Sequence, residues 1–219
     1  MNSSPVESAR QQMVEQQVRA WDVLEPRVLE VLSRVRRENF APPGYRNLAF
    51  ADTGIPLSHG QRMLAPKIQG RILQALDAQS GDSVLEIGTG SGFLAACLGQ
   101  MAARVRSLEI FAPLAETAKA NLLDAVVNNV QVEVGDGTLL DEEGVYDAVA
   151  VTGSLPLYDE RFQRALKIGG RLFVFVGQAP VMEAWKVTRL GEREWTRETL
   201  FETVVEPLVN AKRPSPFVF

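Results

Sequence analysis

The tightest constraint on the fold is the decapeptide SVLEIGTGSG at residues 83–92. Its apolar run, Val84, Leu85 and Ile87 around Glu86, has the length of a strand buried on both faces of a sheet. Gly88, Gly90 and Gly92 break that run, and FLAACLGQMA continues in an apolar pattern that reads as a helix. A strand passing through a glycine turn into a helix opens a nucleotide-cradling βαβ unit. Glycine bends the chain tightly and lets a ligand reach main-chain N–H groups with no Cβ in the way. The start of the helix adds donors and a partial positive charge.

The spacing narrows the ligand. The dinucleotide fingerprint is G-x-G-x-x-G, whereas this turn is G-x-G-x-G, with Phe93 where the third glycine belongs. No diphosphate-sized cradle remains, and Glu86 stands just before the turn. That combination suits S-adenosylmethionine, which carries no phosphate, and disfavours a nicotinamide-dependent dehydrogenase.

The same alternation governs the rest of the chain. Residues 7–21 and 23–35 carry apolar side chains at helical spacing, with Pro26 in the first turn of the second segment. Residues 45–66 are irregular and punctuated by Gly54, Pro56, Gly60 and Pro66, a long loop of the kind that serves a site. A helix is expected at 67–78. Strands are then expected at 105–110, 130–134, 146–152 and 171–176, with helices at 113–127 and 162–168 between them. Three further strands, 184–189, 195–200 and 202–208, close the far edge in antiparallel fashion. Strands alternating with helices predict an α/β, doubly wound, mostly parallel sheet. Residues 1–80 form a helical and loop segment packed on a core of residues 81–219, within one structural domain. The proline-containing tail 211–219 is too irregular for a regular element.

Composition removes several classes. A formal charge of −4 argues against a general nucleic-acid surface. No apolar run approaches the roughly 20 residues that span a bilayer, and MNSSPVESARQQ lacks a signal-peptide layout. A cytoplasmic location is expected, with no membrane or nucleic-acid partner. Cys97 is the sole cysteine, so no internal disulfide or cysteine metal cluster forms, and its apolar helix makes it a core residue.

Ligands of an open α/β sheet sit at the carboxyl ends of the strands. Glu109 closes the second strand about twenty residues after the glycine turn, where a carboxylate accepts from both ribose hydroxyls. Asp136 closes the third strand between Gly135 and Gly137, placed to accept from an adenine amino group. Glu86, inside an apolar strand, needs a hydrogen-bond partner if buried and faces the cationic methionine end of the cofactor.

The pieces MVEQQVRA, VLEVLSRVRRENFAP, FADTGIPLSHGQ, VLEIGTGSGF, VEVGDG, YDAVAVT, LKIGGRLFVFVG and VEPLV together resemble the protein-L-isoaspartate O-methyltransferase family over about residues 13–208. The resemblance implies a seven-stranded, Rossmann-like methyltransferase sheet with an antiparallel edge and an N-terminal helical cap. It implies S-adenosylmethionine held by Glu86, Gly88, Thr89, Gly90, Gly92, Glu109, Ile110, Asp136, Gly137 and Thr152. It assigns the reacting end to Glu86, Gln61 and the position of Leu64. The acceptor wall falls to Ile55, Pro56, Leu57, His59, Arg62 and Pro66, with VEPLV nearby. The acceptor implied is an isoaspartyl carboxylate in a damaged protein or peptide.

One departure stands out. The family reads G-Q-T-[IV]-S-x-P where this chain has Gly60-Gln61-Arg62-Met63-Leu64-Ala65-Pro66. Arg62 replaces the threonine and Leu64 the serine, so a hydrogen-bond donor at the acceptor is lost. Two alternatives stand beside the isoaspartyl reading: a methyltransferase for another acceptor, such as a small metabolite, and a cofactor-binding relative without transfer. Arg62 is suited to an anionic acceptor, because a guanidinium grips a carboxylate as a fork.

Overall fold

The computed structural model describes residues 4–215. Nine strands are found among them: β1 Ile55–Pro56, β2 Arg62–Met63, β3 Ser83–Ile87, β4 Arg104–Glu109, β5 Val130–Val134, β6 Tyr146–Leu155, β7 Leu166–Gln178, β8 Val181–Gly191 and β9 Glu194–Glu202. The helices are α1 Pro5–Met13, α2 Pro26–Arg34, α3 Pro66–Leu76, α4 Phe93–Met101, α5 Ala112–Asp124 and the single turn α6 Arg161–Arg164. One seven-stranded sheet has the order β5-β4-β3-β6-β7-β8-β9. Its first five strands are parallel, and β8 and β9 run antiparallel at the edge. The chain winds from β3 outward to β5, then restarts at β6 on the other side of β3. That reversal opens a crevice at the carboxyl ends of β3, β4 and β6.

Period-two alternation builds the core on both faces. Val84, Phe173 and Phe175 belong to the layer covered by α2, α3 and α4, while Leu85, Ile87, Leu172 and Val174 pack into the opposite layer with Phe162. Each such side chain contributes about 1.5–3 kcal/mol by leaving water.

Four sequence expectations need correction. The 7–21 helix is not uniform: α1 opens on a Ser4–Glu7 capping box, then widens into a π turn over Val14–Val18 and tightens over Arg19–Trp21. Asp22, in the left-handed region at φ 59°, ends it. The helix expected at 162–168 shrinks to α6, because Leu166 is already paired with Tyr146 in the sheet. The strand expected at 202–208 is an extended strap, tied to the sheet by a parallel bridge between Ser154 and Pro207. Inside the expected loop 45–66, β1 and β2 form a small hairpin pairing Ile55 with Met63 and Pro56 with Arg62. Trp21 meets Phe201 edge to face at 5.3 Å and lies under the Lys67 ammonium, so it anchors the N-terminal segment to β9 and α3. Of the tail 211–219, residues 216–219 lie outside the described residues. Among the described residues no helix is long and apolar enough to cross a membrane.

Candidate functional site

A cleft of about 390 Å3 opens at the crevice between β3 and β6, within the size range of small-molecule sites. Its floor is the glycine turn and the ends of β3, β4 and β5; its walls are the 52–69 segment and the strap.

The turn closes on itself through one bond, Gly92 N–H to Thr89 O at 2.9 Å, and is otherwise held by its neighbours. Gly88 (φ 95°) donates its N–H to Leu108 O at 2.8 Å. A Cβ at Gly88 would sit 2.3 Å from Thr152 Oγ1. That hydroxyl is shared between the carbonyls of Ile87 (2.9 Å) and Gly88 (2.8 Å), which ties the end of β6 to the turn. Gly90, at φ 56°, donates its N–H to Glu109 Oε2 at 2.8 Å. The other Glu109 oxygen accepts from Phe111 N–H at 3.1 Å. Each carboxylate oxygen therefore keeps a lone pair for a hydroxyl, in a side chain only 4 % exposed.

Behind the turn runs a buried polar chain. The Thr89 hydroxyl donates to Ser107 Oγ at 2.6 Å, and Ser107 donates to Glu86 Oε2. Glu86 is fully buried, and its Oε1 has no partner among the described residues. Burial pushes its carboxyl up to about 8, opposed by the Ser107 bond and reinforced by the charge of Glu109. Asp136 is more open. Its Oδ1 accepts from Thr138 N–H and Oγ1–H, and its Oδ2 accepts from Asn210 Nδ2 at 2.8 Å. Burial raises its carboxyl, but these bonds and Arg161 outweigh that and hold it below the usual carboxylate range. At Gly137 a Cβ would strike Ile87 Cγ2 at 2.3 Å, so the third strand end fits closely against the first.

Three carboxylates thus converge at the ends of three adjacent strands. Phosphates brought against Glu109 and Asp136 would be repelled, whereas a phosphate-free ligand with hydroxyl donors and positive charge fits. The orphaned Glu86 oxygen fits such a ligand for the same reason. S-adenosylmethionine meets these requirements, and Thr89 and Ile110 line the same cleft, whereas Gly92 is buried behind it, where a Cβ would press on Ala118 of α5 at 3.2 Å.

The acceptor side is assembled differently. Gln61, Arg62 and Leu64 line the cleft. Ile55, facing Met63 across the hairpin, is fully buried in the core, and Pro66 is buried at the start of α3. Pro56 lies beside Arg62 on the outer hairpin face. Leu57 reaches over the glycine turn: a Cβ at Gly90 would meet its Cδ1 at 3.3 Å. His59, at the hairpin tip with φ 57°, stacks on Phe111 at 4.5 Å and so bridges the hairpin to the start of α5.

Two features escape sequence reading. Arg37 is fully buried, donating to Ala49 O (2.8 Å), Leu64 O (2.7 Å) and Gln69 Oε1, and its guanidinium lies over Phe93 at 4.9 Å. Burial lowers its pKa to about 9. The second is how the strap is fastened, its place near the acceptor wall being expected from VEPLV: Ser154 N–H donates to Glu206 O, and Leu208 N–H to Ser154 O. Gly153 lets it dock, since a Cβ there would lie 2.9 Å from Leu208 N. Cys97, also fully buried, has its thiol pKa raised by burial.

Comparison with known proteins agrees with this architecture. The family profile of protein-L-isoaspartate(D-aspartate) O-methyltransferase matches residues 8–213. A protein-L-isoaspartate O-methyltransferase of Rhodopseudomonas palustris is 40 % identical over 209 residues, covering 93 % of this chain and 96 % of the relative. Protein-L-isoaspartate O-methyltransferase 2 of Pelobacter propionicus is 38 % identical, covering 94 % of this chain and 92 % of the relative. In fold, the chain superposes on a Plasmodium falciparum protein-L-isoaspartate O-methyltransferase structure containing S-adenosyl-L-homocysteine. That match has a TM-score of 0.78 at 19 % identity, covering 91 % of this chain and 97 % of the other.

Proposed function

We propose how this chain's own residues work from the premise that it belongs to the protein-L-isoaspartate(D-aspartate) O-methyltransferase family. Its function is S-adenosylmethionine-dependent transfer of a methyl group to the carboxylate of an isoaspartyl residue. Bound in the cleft, the cofactor supplies an electrophilic methyl on a sulfonium. Glu109 accepts the two ribose hydroxyls, Asp136 accepts from the adenine amino group, and Glu86 lies toward the methionyl end. The observation that supports this assignment is the convergence of the three carboxylates on one glycine turn, with a lone pair open on each Glu109 oxygen.

Methylation of a carboxylate forms one O–C bond as one C–S bond breaks, and the acceptor is already a nucleophile. No general base is required of the protein. Its contribution is alignment, a large effect when reacting atoms are held in line. Gln61, Leu64 and the hairpin form the wall along which the peptide is laid, and the strap covers the opposite side. The Arg37 guanidinium fixes this wall by gripping the Leu64 carbonyl from beneath.

The test is transfer of labelled methyl from S-adenosylmethionine to an isoaspartyl peptide, with calorimetric cofactor binding on the same sample. Binding with transfer is the expected result. Binding without transfer would reject the isoaspartyl acceptor and keep the cofactor assignment; absence of binding would reject the site.

A further inference from the structure

The cleft divides by charge. Glu109 and Asp136 make the floor anionic, with the proton-bearing Glu86 carboxyl between β3 and β4, whereas the cations that line the cleft, Arg62 and Lys67, both come from the 52–69 wall. Lys67 is committed: it pairs with Asp52 at 2.8 Å and its ammonium lies over Trp21. Arg62 is not. Its Nη2 donates to Gly54 O at 2.7 Å, and among the described residues it has no carboxylate partner. Glu206 lines the cleft from the strap without forming an ion pair with it.

The placement of Arg62 is built into the hairpin. Register puts Met63 opposite Ile55, both buried, which turns Arg62 outward to the rim. The guanidinium then lies across Gly54, where a Cβ would stand 3.1 Å from Arg62 Nε and 3.4 Å from Met63 O. One bond to a backbone carbonyl orients the group while most of its five N–H donors remain available. Arg62 is exposed, so it belongs to the edge of the site rather than to the reacting centre.

We propose that Arg62 gives this enzyme a preference for isoaspartyl peptides that carry a second carboxylate beside the one to be methylated, which it holds as an ion pair at the rim of the cleft. This inference rests on the isoaspartyl reading above. A planar guanidinium with fixed donors suits a carboxylate. A rim charge serves specificity more than raw affinity.

The experiment is calorimetry on the chain loaded with S-adenosylhomocysteine, using two isoaspartyl peptides that differ only in a flanking glutamate or glutamine. The glutamate peptide is expected to bind about threefold more tightly at low salt, the scale of an exposed ion pair. At about 0.5 M salt that ratio should approach one. Arg62→Thr should abolish the ratio and Arg62→Glu invert it, and Gly54→Ala, which crowds the guanidinium, should reduce it. A role limited to shaping the hairpin would weaken both peptides alike and leave the ratio intact, which would overturn the proposal. Equal binding of the two peptides by the unaltered chain would overturn it as well. In that case methyl transfer to the glutamine peptide still reports on the isoaspartyl reading separately. Binding of neither peptide would overturn both.

Discussion

The two halves of the cleft are built by different means. On the cofactor half, buried carboxylates are fixed by main-chain N–H groups, as at Glu109, or by a hydroxyl chain, as at Glu86. On the acceptor half, exposed side chains sit on a two-residue-per-strand hairpin, and firmness comes from one buried guanidinium, Arg37. A floor made of strand ends cannot shift without disturbing the sheet. A hairpin fastened at a few points can change its side chains while its path is kept. The contrast fits the resemblance read from the sequence, in which the glycine turn and its carboxyl groups match the family pattern while Arg62 and Leu64 depart from it.

The strongest way to break this contrast is to remove the anchor. Arg37→Ala strands two backbone carbonyls and the Gln69 amide oxygen, and should cost about 3–5 kcal/mol in urea unfolding. Protein that still folds should lose peptide affinity more than cofactor affinity; equal losses would show that the halves are not independent.

Next in size is the pH dependence of Glu86→Gln. Below about 4.5 the carboxyl is protonated in folded and unfolded chains alike, and it carries no penalty. Between 4.5 and about 8 the unfolded chain gives up a proton that the folded chain keeps, so the ligand-free protein loses stability as pH rises. The glutamine variant escapes that loss. Its advantage over the original chain should grow through this window to about 2–4 kcal/mol at pH 8. A pH-independent difference would mean that Glu86 is ionised in the fold.

Glu109→Ala sharpens the cofactor half alone. It should weaken S-adenosylmethionine by about 1–3 kcal/mol in calorimetry, since it removes two acceptors and frees the Gly90 N–H. Unchanged affinity would sink the ribose assignment. The smallest effect is expected at Leu64→Ser, which restores a donor to the acceptor wall. Isoaspartyl methylation should rise about threefold, near the lower end of what one hydrogen bond contributes. No rise would mean that the pocket has been reshaped around leucine.

The sequence made the cofactor half legible because its signals are local. Glycines at alternate positions, a carboxylate at each strand end and period-two apolar runs are read within a few residues. The acceptor half depends on long-range choices. Nothing in RRENF tells that Arg37 is buried while Arg36 is exposed; that is settled by carbonyls 12 and 27 residues away. The 74-residue reach from Asn210 to Asp136 has no local mark either. Reading 162–168 as a helix fails for a related reason: a short apolar run satisfies helix and strand alike until a partner strand, here β6, takes Leu166.

The strap has a consequence in time. Residues 83–155 lay down the floor of the cleft, and the wall that docks on Gly153 and Ser154 comes from residues 203–210, with all of β7, β8 and β9 between. A ribosome therefore completes the floor well before the wall exists. During that interval the backbone groups of Ser154 are left to water and Asp136 waits for Asn210. Competence waits for residues 203–210, and a chain halted short of them is a bystander to its own chemistry.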